Sequence, residues 1–117
     1  MAKNKLFKFN EITKMDHVLE PSVEMTLNNE IDYKGDWNSR FFKNDNPIIL
    51  ELGCGKGEYA VGLAKKYPSQ NFIAVDIKGN RIYIGAKEAE EEGLENIYFL
   101  RTKIDFIDYY FEESEVD

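Results

Sequence analysis

The stretch that most constrains this chain is residues 46–57, Asn-Pro-Ile-Ile-Leu-Glu-Leu-Gly-Cys-Gly-Lys-Gly. Ile48, Ile49, Leu50 and Leu52 form a short apolar run, which reads as a strand buried on both faces, the usual state inside a parallel sheet. Pro47 suits the first residue of such a strand, where its missing N–H costs least. Gly53, Gly55 and Gly57 follow at alternate positions, and a helical pattern opens at Glu58. Strand, glycine-rich turn and helix in that order bring a backbone without Cβ atoms and the unpaired N–H groups of a helix start into one space. A ligand fits there. Glu51 interrupts the apolar run. A carboxylate near the carboxyl end of a buried strand is costly unless it is paired or faces a ligand, and ligands of open α/β sheets sit at that end. Glu51 therefore favours a ligand with a positively charged group. The Gly-x-Gly-x-Gly spacing departs from the Gly-x-Gly-x-x-Gly of nicotinamide and flavin dinucleotide sites, which disfavours a dinucleotide oxidoreductase. The alternative is a turn whose glycines serve packing alone.

Downstream the pattern alternates. In residues 58–66, Ala60, Leu63 and Ala64, continued by Tyr67, share one face at helical spacing. Lys65 and Lys66 favour the dipole of the last turn, and Pro68 stops the helix. Residues 71–77 form a second strand, apolar from Phe72 to Val75 and broken by Asp76. This acid lies roughly 20 residues past the glycine turn, where nucleotide-type folds hold ribose hydroxyls; a turn or capping role is the alternative. Residues 78–80 are a turn. Residues 81–92 are a helix that buries Ile82, Gly85, Ala86 and Ala89 and turns Lys87, Glu88 and Glu90 to Glu92 outward. Gly93 is a C-cap glycine. Residues 96–102 are a third strand. Residues 104–111 read as a short helix offering Phe106, Ile107, Tyr110 and Phe111 to the core, its Tyr-Tyr-Phe run being packing before it is a base-stacking platform. Short links between these elements mean right-handed parallel crossovers, with strand order 3-2-1. The fold class is α/β: a Rossmann-like parallel sheet with helices on both faces and the ligand over the carboxyl ends. Strand one would be central in a complete fold, so residues 47–117 read as the cofactor-binding half of a larger domain. Removed from its other half, such a piece would expose an apolar edge and would either self-associate or be only marginally folded.

Residues 1–46 are the least regular part, read as an N-terminal arm and a short helix. Lys3, Lys5, Lys8 and Lys14 make the start basic, among Phe7, Phe9 and Ile12. A solvated arm with apolar anchors and an arm that touches a polyanion both fit. His17 stands alone, so a metal is not expected. Residues 36–42, Asp-Trp-Asn-Ser-Arg-Phe-Phe, look like an amphipathic turn of helix with Asp36 as cap; Trp37, Phe41 and Phe42 would cover the sheet or the pocket mouth. The chain has 117 residues, a formal net charge of −7 and one cysteine. Its length allows one small domain or part of one. The charge argues against nucleic-acid binding by this piece through bulk electrostatics. Cys54 can form no internal disulfide, which suits the cytosol, and it reads as a small turn residue ahead of a catalytic thiol. No run approaches the roughly 18 apolar residues of a membrane span, and no apolar run follows the first lysines as in a secretory signal.

Glu-x-Gly-x-Gly-x-Gly after a strand resembles the first motif of the S-adenosylmethionine-dependent methyltransferases. Three stretches narrow this: Ile-Leu-Glu-Leu-Gly-Cys-Gly-Lys-Gly-Glu-Tyr at 49–59, Tyr-Pro-Ser-Gln-Asn-Phe-Ile-Ala-Val-Asp-Ile at 67–77, and Glu-Gly-Leu-Glu-Asn-Ile-Tyr-Phe-Leu-Arg at 92–101. Together they resemble the bacterial tRNA (guanine-N7-)-methyltransferases, most clearly from Pro47 onward, with a lead-in at 32–38 also similar to some members. The resemblance implies methyl transfer from S-adenosylmethionine to N7 of a guanine in the variable loop of tRNA, in the cytoplasm. By position it implies a cofactor site of Glu51, near the methionine head, Gly53, Gly55 and Gly57 in the turn, and Asp76 with Ile77 at the ribose. A third family position, commonly Asp or Asn beside the adenine, falls on Lys103. That departure leaves the adenine contact to Asp105 or to the backbone of 102–104. The family's later elements, which hold the guanine and the tRNA, have no counterpart before Asp117, so no catalytic residue is assigned. Two other classes remain: a methyltransferase for a small-molecule or protein substrate, which the acidic charge would suit, and a module that binds the cofactor without transfer.

Overall fold

The computed structural model describes residues 2–53 and 58–117; Cys54, Gly55 and Gly57 of the glycine turn lie outside the described residues. Four strands form one sheet: β1 (Val18–Leu19), β2 (Ile48–Leu52), β3 (Asn71–Asp76) and β4 (Ile97–Arg101). The order is β1-β4-β3-β2 and every pairing is parallel. The 3-2-1 order expected for the last three is present, and β1 is an addition. Two residues are too few to show a period, so β1 carries no signal in sequence. It is fixed by the His17 carbonyl, which accepts from Phe99 N–H at 2.8 Å.

β3 is buried along its whole length because it has a strand on each side and a layer on each face. Its alternate residues feed two cores. Phe72 and Ala74 join Ile97 and Phe99 beneath α1 (Ala2–Ile12), α3 (Glu58–Lys66) and α4 (Gly79–Glu91). Ile73 and Val75 join Leu100 and Ile48 on the opposite face. That face is covered by short pieces: Ile31, Trp37 and Phe42 from before β2, and Tyr110 and Phe111 from after β4. Both cores therefore draw on residues before and after position 46. α1 is a helix laid against α4, with Ile12 fully buried and Phe7 edge-on to Tyr83 at 6.1 Å, rather than a loose arm.

β2 differs from its reading as a strand covered on both faces. Only Ile48 is buried; Ile49, Leu50 and Glu51 are half-buried and Leu52 is 46 % exposed. The cause is its place at the sheet edge, where β3 pairs one side alone. On the open side Ile48 exchanges hydrogen bonds with Asp117: the Ile48 carbonyl accepts from Asp117 N–H at 2.8 Å, and Asp117 Oδ2 accepts from Ile48 N–H at 3.0 Å.

Several local rules hold. α4 has Ile82, Gly85, Ala86 and Ala89 buried at helical spacing, though it begins at Gly79 rather than Arg81. Gly93 ends it at φ +66°, with Leu94 N–H on the Ala89 carbonyl, the six-to-one bond of a Schellman stop. In α3, Val61 is buried with Ala60 and Ala64, while Tyr67 lies one residue past the helix and is 40 % exposed, its ring under Lys66 Nζ. Residues 38–42 form a π turn. Trp37 precedes it without a side-chain cap, so Asp36 is not the capping residue. The segment after β4 is a 3₁₀ helix, Ile104–Tyr109, and Tyr110 behind it is fully buried, as packing requires.

Tyr33 packs edge-on against Trp37 and Phe41 and stacks on Tyr110. Burial first, then the neighbouring Tyr110 and Asp32, raises its hydroxyl well above the usual tyrosine range, with Arg40 opposing. A raised folded-state value means that the stabilising contribution is complete below the unfolded value of about 10 and is lost as pH climbs through the folded one. The denaturation midpoint is expected to fall above about pH 10, and Tyr33→Phe to flatten that slope. An unchanged slope in the variant would assign the alkaline loss to other groups.

Candidate functional site

The carboxyl ends of β2, β3 and β4 end around one cavity of about 210 Å³. Its lining is Gly53 from the end of β2, Asp76 and Ile77 from β3, and Thr102, Lys103, Ile104 and Asp105 from the turn after β4. Gly53 leaves its strand at φ +65°, a backbone state that favours glycine, and its N–H is held by the Val75 carbonyl at 2.9 Å. Among the described residues a Cβ there would meet only Ile104 Cδ1 at 3.9 Å, and it is the backbone angle that calls for glycine.

Asp76 is 6 % exposed. Its Oδ1 accepts from Lys78 N–H at 2.9 Å, the turn role that was one of its two readings. Its Oδ2 lies 4.0 Å from Arg81 Nη1. A carboxylate oxygen is an acceptor of the kind that ligand hydroxyls need. Ile77 and Ile104, 48 % and 47 % exposed, supply apolar walls. A buried acceptor between apolar walls suits a sugar carrying a flat base, which fits the nucleoside part of S-adenosylmethionine.

Of the residues selected from sequence, Gly53, Asp76, Ile77 and Lys103 line this cavity. Glu51 does not. It sits opposite Ala74, and since Ile49 packs into the core beneath α3, strand alternation puts Glu51 on that same side, toward the start of α3. Gly55 and Gly57 lie outside the described residues. The side chains of Thr102 and Ile104 carry no motif of their own; strand topology brings them in.

Lys103 has its Nζ 5.8 Å from the centre of the Phe106 ring, a cation–π distance, rather than beside Asp105. An ammonium donates and cannot accept from an adenine amino group. Lys103→Ala is therefore expected to change cofactor affinity by no more than about threefold, the scale of an exposed cation–π contact. A tenfold loss in calorimetry would make Lys103 a ligand contact.

A larger depression of about 890 Å³ lies at the opposite end of β4, among His17, Arg40, Lys43, Glu90, Glu95 and Tyr98. It mixes both charge signs. His17 there has its Nε2 at the Ala86 carbonyl, 3.0 Å away. Among the described residues no three metal-ligating side chains converge, and no helix is long and apolar enough to cross a membrane.

A parallel sheet with a left-handed glycine, Gly53, after one strand, an acid at the tip of the next and a cavity between them defines a Rossmann-like cofactor domain. Residues 45–117 match the profile of a family described as "Putative methyltransferase", and the chain belongs to that family. It is 55 % identical over 98 % of its length to a tRNA (guanine-N(7)-)-methyltransferase of Christiangramia forsetii, covering 51 % of that protein. It is 53 % identical over 99 % of its length to the protein of the same name from Bacteroides fragilis, covering 46 % of it. The chain thus spans about half the length of the curated relatives it matches. Among solved structures, an antibiotic-related methyltransferase superposes with a TM-score of 0.56 at 16 % identity, over 64 % of this chain and 40 % of that one, a likeness of fold alone.

Proposed function

We propose that the complete protein transfers a methyl group from S-adenosylmethionine to N7 of a guanine in the variable loop of tRNA, in the cytoplasm, and that the described cavity seats the nucleoside part of the cofactor. The observation that carries this reading is the 55 % identity to a relative of that name, which runs through the cavity-forming strands. The cofactor supplies a methyl group already activated on a sulfonium. In this reading Asp76 accepts the ribose hydroxyls, Gly53 with Gly55 and Gly57 lets the cofactor approach the backbone, and Glu51, on the α3 side, answers the charged amino group of the methionine head. Ile77 and Ile104 flank the base, with Asp105 or the backbone of 102–104 meeting its amino group. Guanine N7 carries an available lone pair, so no strong base is required of the protein. Alignment of that lone pair with the methyl group supplies much of the acceleration. The test is incubation of the complete protein with unmodified tRNA and methyl-labelled cofactor, followed by nucleoside analysis. Label in 7-methylguanosine is expected. Label in protein or small molecules with none in tRNA would favour the other substrate class, and cofactor binding without any transfer would favour a binding module.

The open side of β2 gives a further expectation. Ile48 N–H and C=O point away from β3, and by strand alternation so do those of Leu50 and Leu52. Among the described residues Asp117 meets the first of these positions. The 117-residue chain, taken alone, is expected to be inactive on tRNA and either to self-associate through this edge or to be only marginally folded. Sedimentation showing a monodisperse monomer with a sharp cooperative melt would mean that the edge needs no partner.

A further inference from the structure

The reading of Asp76 as the ribose acceptor leaves open what aims its carboxylate. The peptide unit between Ile77 and Lys78 answers this. Its N–H donates to Asp76 Oδ1 at 2.9 Å. Its carbonyl accepts from Arg101 Nε at 3.0 Å. The Ile77–Lys78 peptide is trans, so these two groups leave one rigid plane in opposite directions. Turning that plane would move both bonds together. Arg101 is the last residue of β4 and the register partner of Asp76. Its side chain is held in turn: Nη1 donates to Glu20 Oε2 at 2.9 Å, Glu20 being the residue after β1. The pair is 31 % and 23 % exposed, less screened than an open surface pair. A guanidinium is planar and presents its donors in a fixed fork, so Glu20 on one N–H aims the other.

We propose that Arg101 and Glu20 are positioning residues of the cofactor site: Glu20 orients the Arg101 guanidinium, Arg101 orients the Ile77–Lys78 peptide, and that peptide holds the Asp76 carboxylate toward the ligand. Both outer bonds of the peptide involve a charged group, the stronger kind of hydrogen bond, and bonds in such a chain polarise one another. The short β1 thereby gains a role in the cofactor site, since it brings Glu20 to Arg101. A lysine in place of Arg101 has a single point charge and cannot hold both partners in one plane.

The inference rests on Asp76 being a cofactor contact, and the experiment separates the two. S-adenosylhomocysteine binding to the complete protein is measured by calorimetry for Arg101→Ala, Arg101→Lys, Glu20→Gln, Asp76→Ala and the Arg101→Ala/Asp76→Ala double variant. Melting curves confirm that each is folded. Arg101→Ala and Arg101→Lys are each expected to weaken binding about fivefold to thirtyfold, less than the full loss of a charged hydrogen bond because Arg101 acts on the Asp76 carboxylate at one remove, with KM for the cofactor rising and kcat little changed. Glu20→Gln, which keeps an acceptor, is expected to lose less. The double variant should bind no more weakly than Asp76→Ala alone, because Arg101 acts through that carboxylate; a merely structural residue would give additive losses. Wild-type affinity in both Arg101 variants, with a clear loss in Asp76→Ala, would overturn the positioning chain and leave the site standing. Additive losses would also overturn it. Wild-type affinity in Asp76→Ala would sink the site assignment and the chain with it. Should Arg101→Ala fail to fold, Arg101→Lys and Glu20→Gln carry the same comparison.

Discussion

Trp37→Ala is expected to lower folding stability by about 3–5 kcal/mol, the range for removing a large buried aromatic. Trp37 is fully buried and forms the middle of the layer that covers the second face of the sheet. It stacks on Phe111 at 5.2 Å and meets Tyr33 edge-on at 5.3 Å. Its Nε1 donates to the Tyr110 carbonyl at 2.8 Å, so truncation also leaves a buried acceptor without that partner. Tyr110 in turn has its hydroxyl hydrogen-bonded to Thr26 and accepts from Thr102 Oγ1 at 3.4 Å. The indole thus ties residues before β2 to the turn that lines the cavity. Trp37→Phe should recover most of the packing and lose about 1 kcal/mol through the missing hydrogen bond. Urea titration of the complete protein reads both: a lower midpoint with the slope unchanged is expected. A midpoint within experimental error of the parent in Trp37→Ala would mean that this face of the sheet is held by other contacts.

Asp76→Ala is expected to weaken cofactor binding by about 1–3 kcal/mol, since hydrogen bonds to a charged acceptor lie in that range and a nearly buried carboxylate is little screened. The same substitution removes the acceptor for Lys78 N–H at the start of α4 and should cost about 1 kcal/mol of stability, as for a lost cap. Asp76→Asn separates the two effects. Its carbonyl oxygen can still hold Lys78 N–H, while the second oxygen that accepts from a ribose becomes a donor. Stability near the parent with weakened binding is expected for Asn. Calorimetric affinity unchanged in both variants would reduce Asp76 to its turn role.

The sheet and its order were legible because three strands and two helices each carry a strong local signal. The apolar run of β3 and the Ile82, Gly85, Ala86 and Ala89 face of α4 follow from period alone. The exposure of Leu52 was not legible, because it depends on which strand lies at the edge. β1 was not legible either: a two-residue strand has no period, and a parallel partner distant in sequence fixes it. The aromatic cover was visible as composition, but its form as a π turn was not, since Trp37 is placed by contacts with Phe111 and Tyr110 far along the chain. In the site, Gly53 and Asp76 stand out because a backbone angle and a buried charge restrict residue type. Ile104, Thr102 and Arg101 do not stand out, since each is an ordinary residue whose role comes from the strand end that presents it.

The cavity between Gly53, Asp76 and the turn after β4 is proposed to seat S-adenosylmethionine. A crystal structure of the complete protein with S-adenosylhomocysteine tests it most directly. The ribose hydroxyls are expected within hydrogen-bond distance of the Asp76 carboxylate, the adenine between Ile77 and Ile104, and the Lys103 ammonium away from the adenine amino nitrogen. A ligand seated elsewhere, or a ribose held without Asp76, would contradict it.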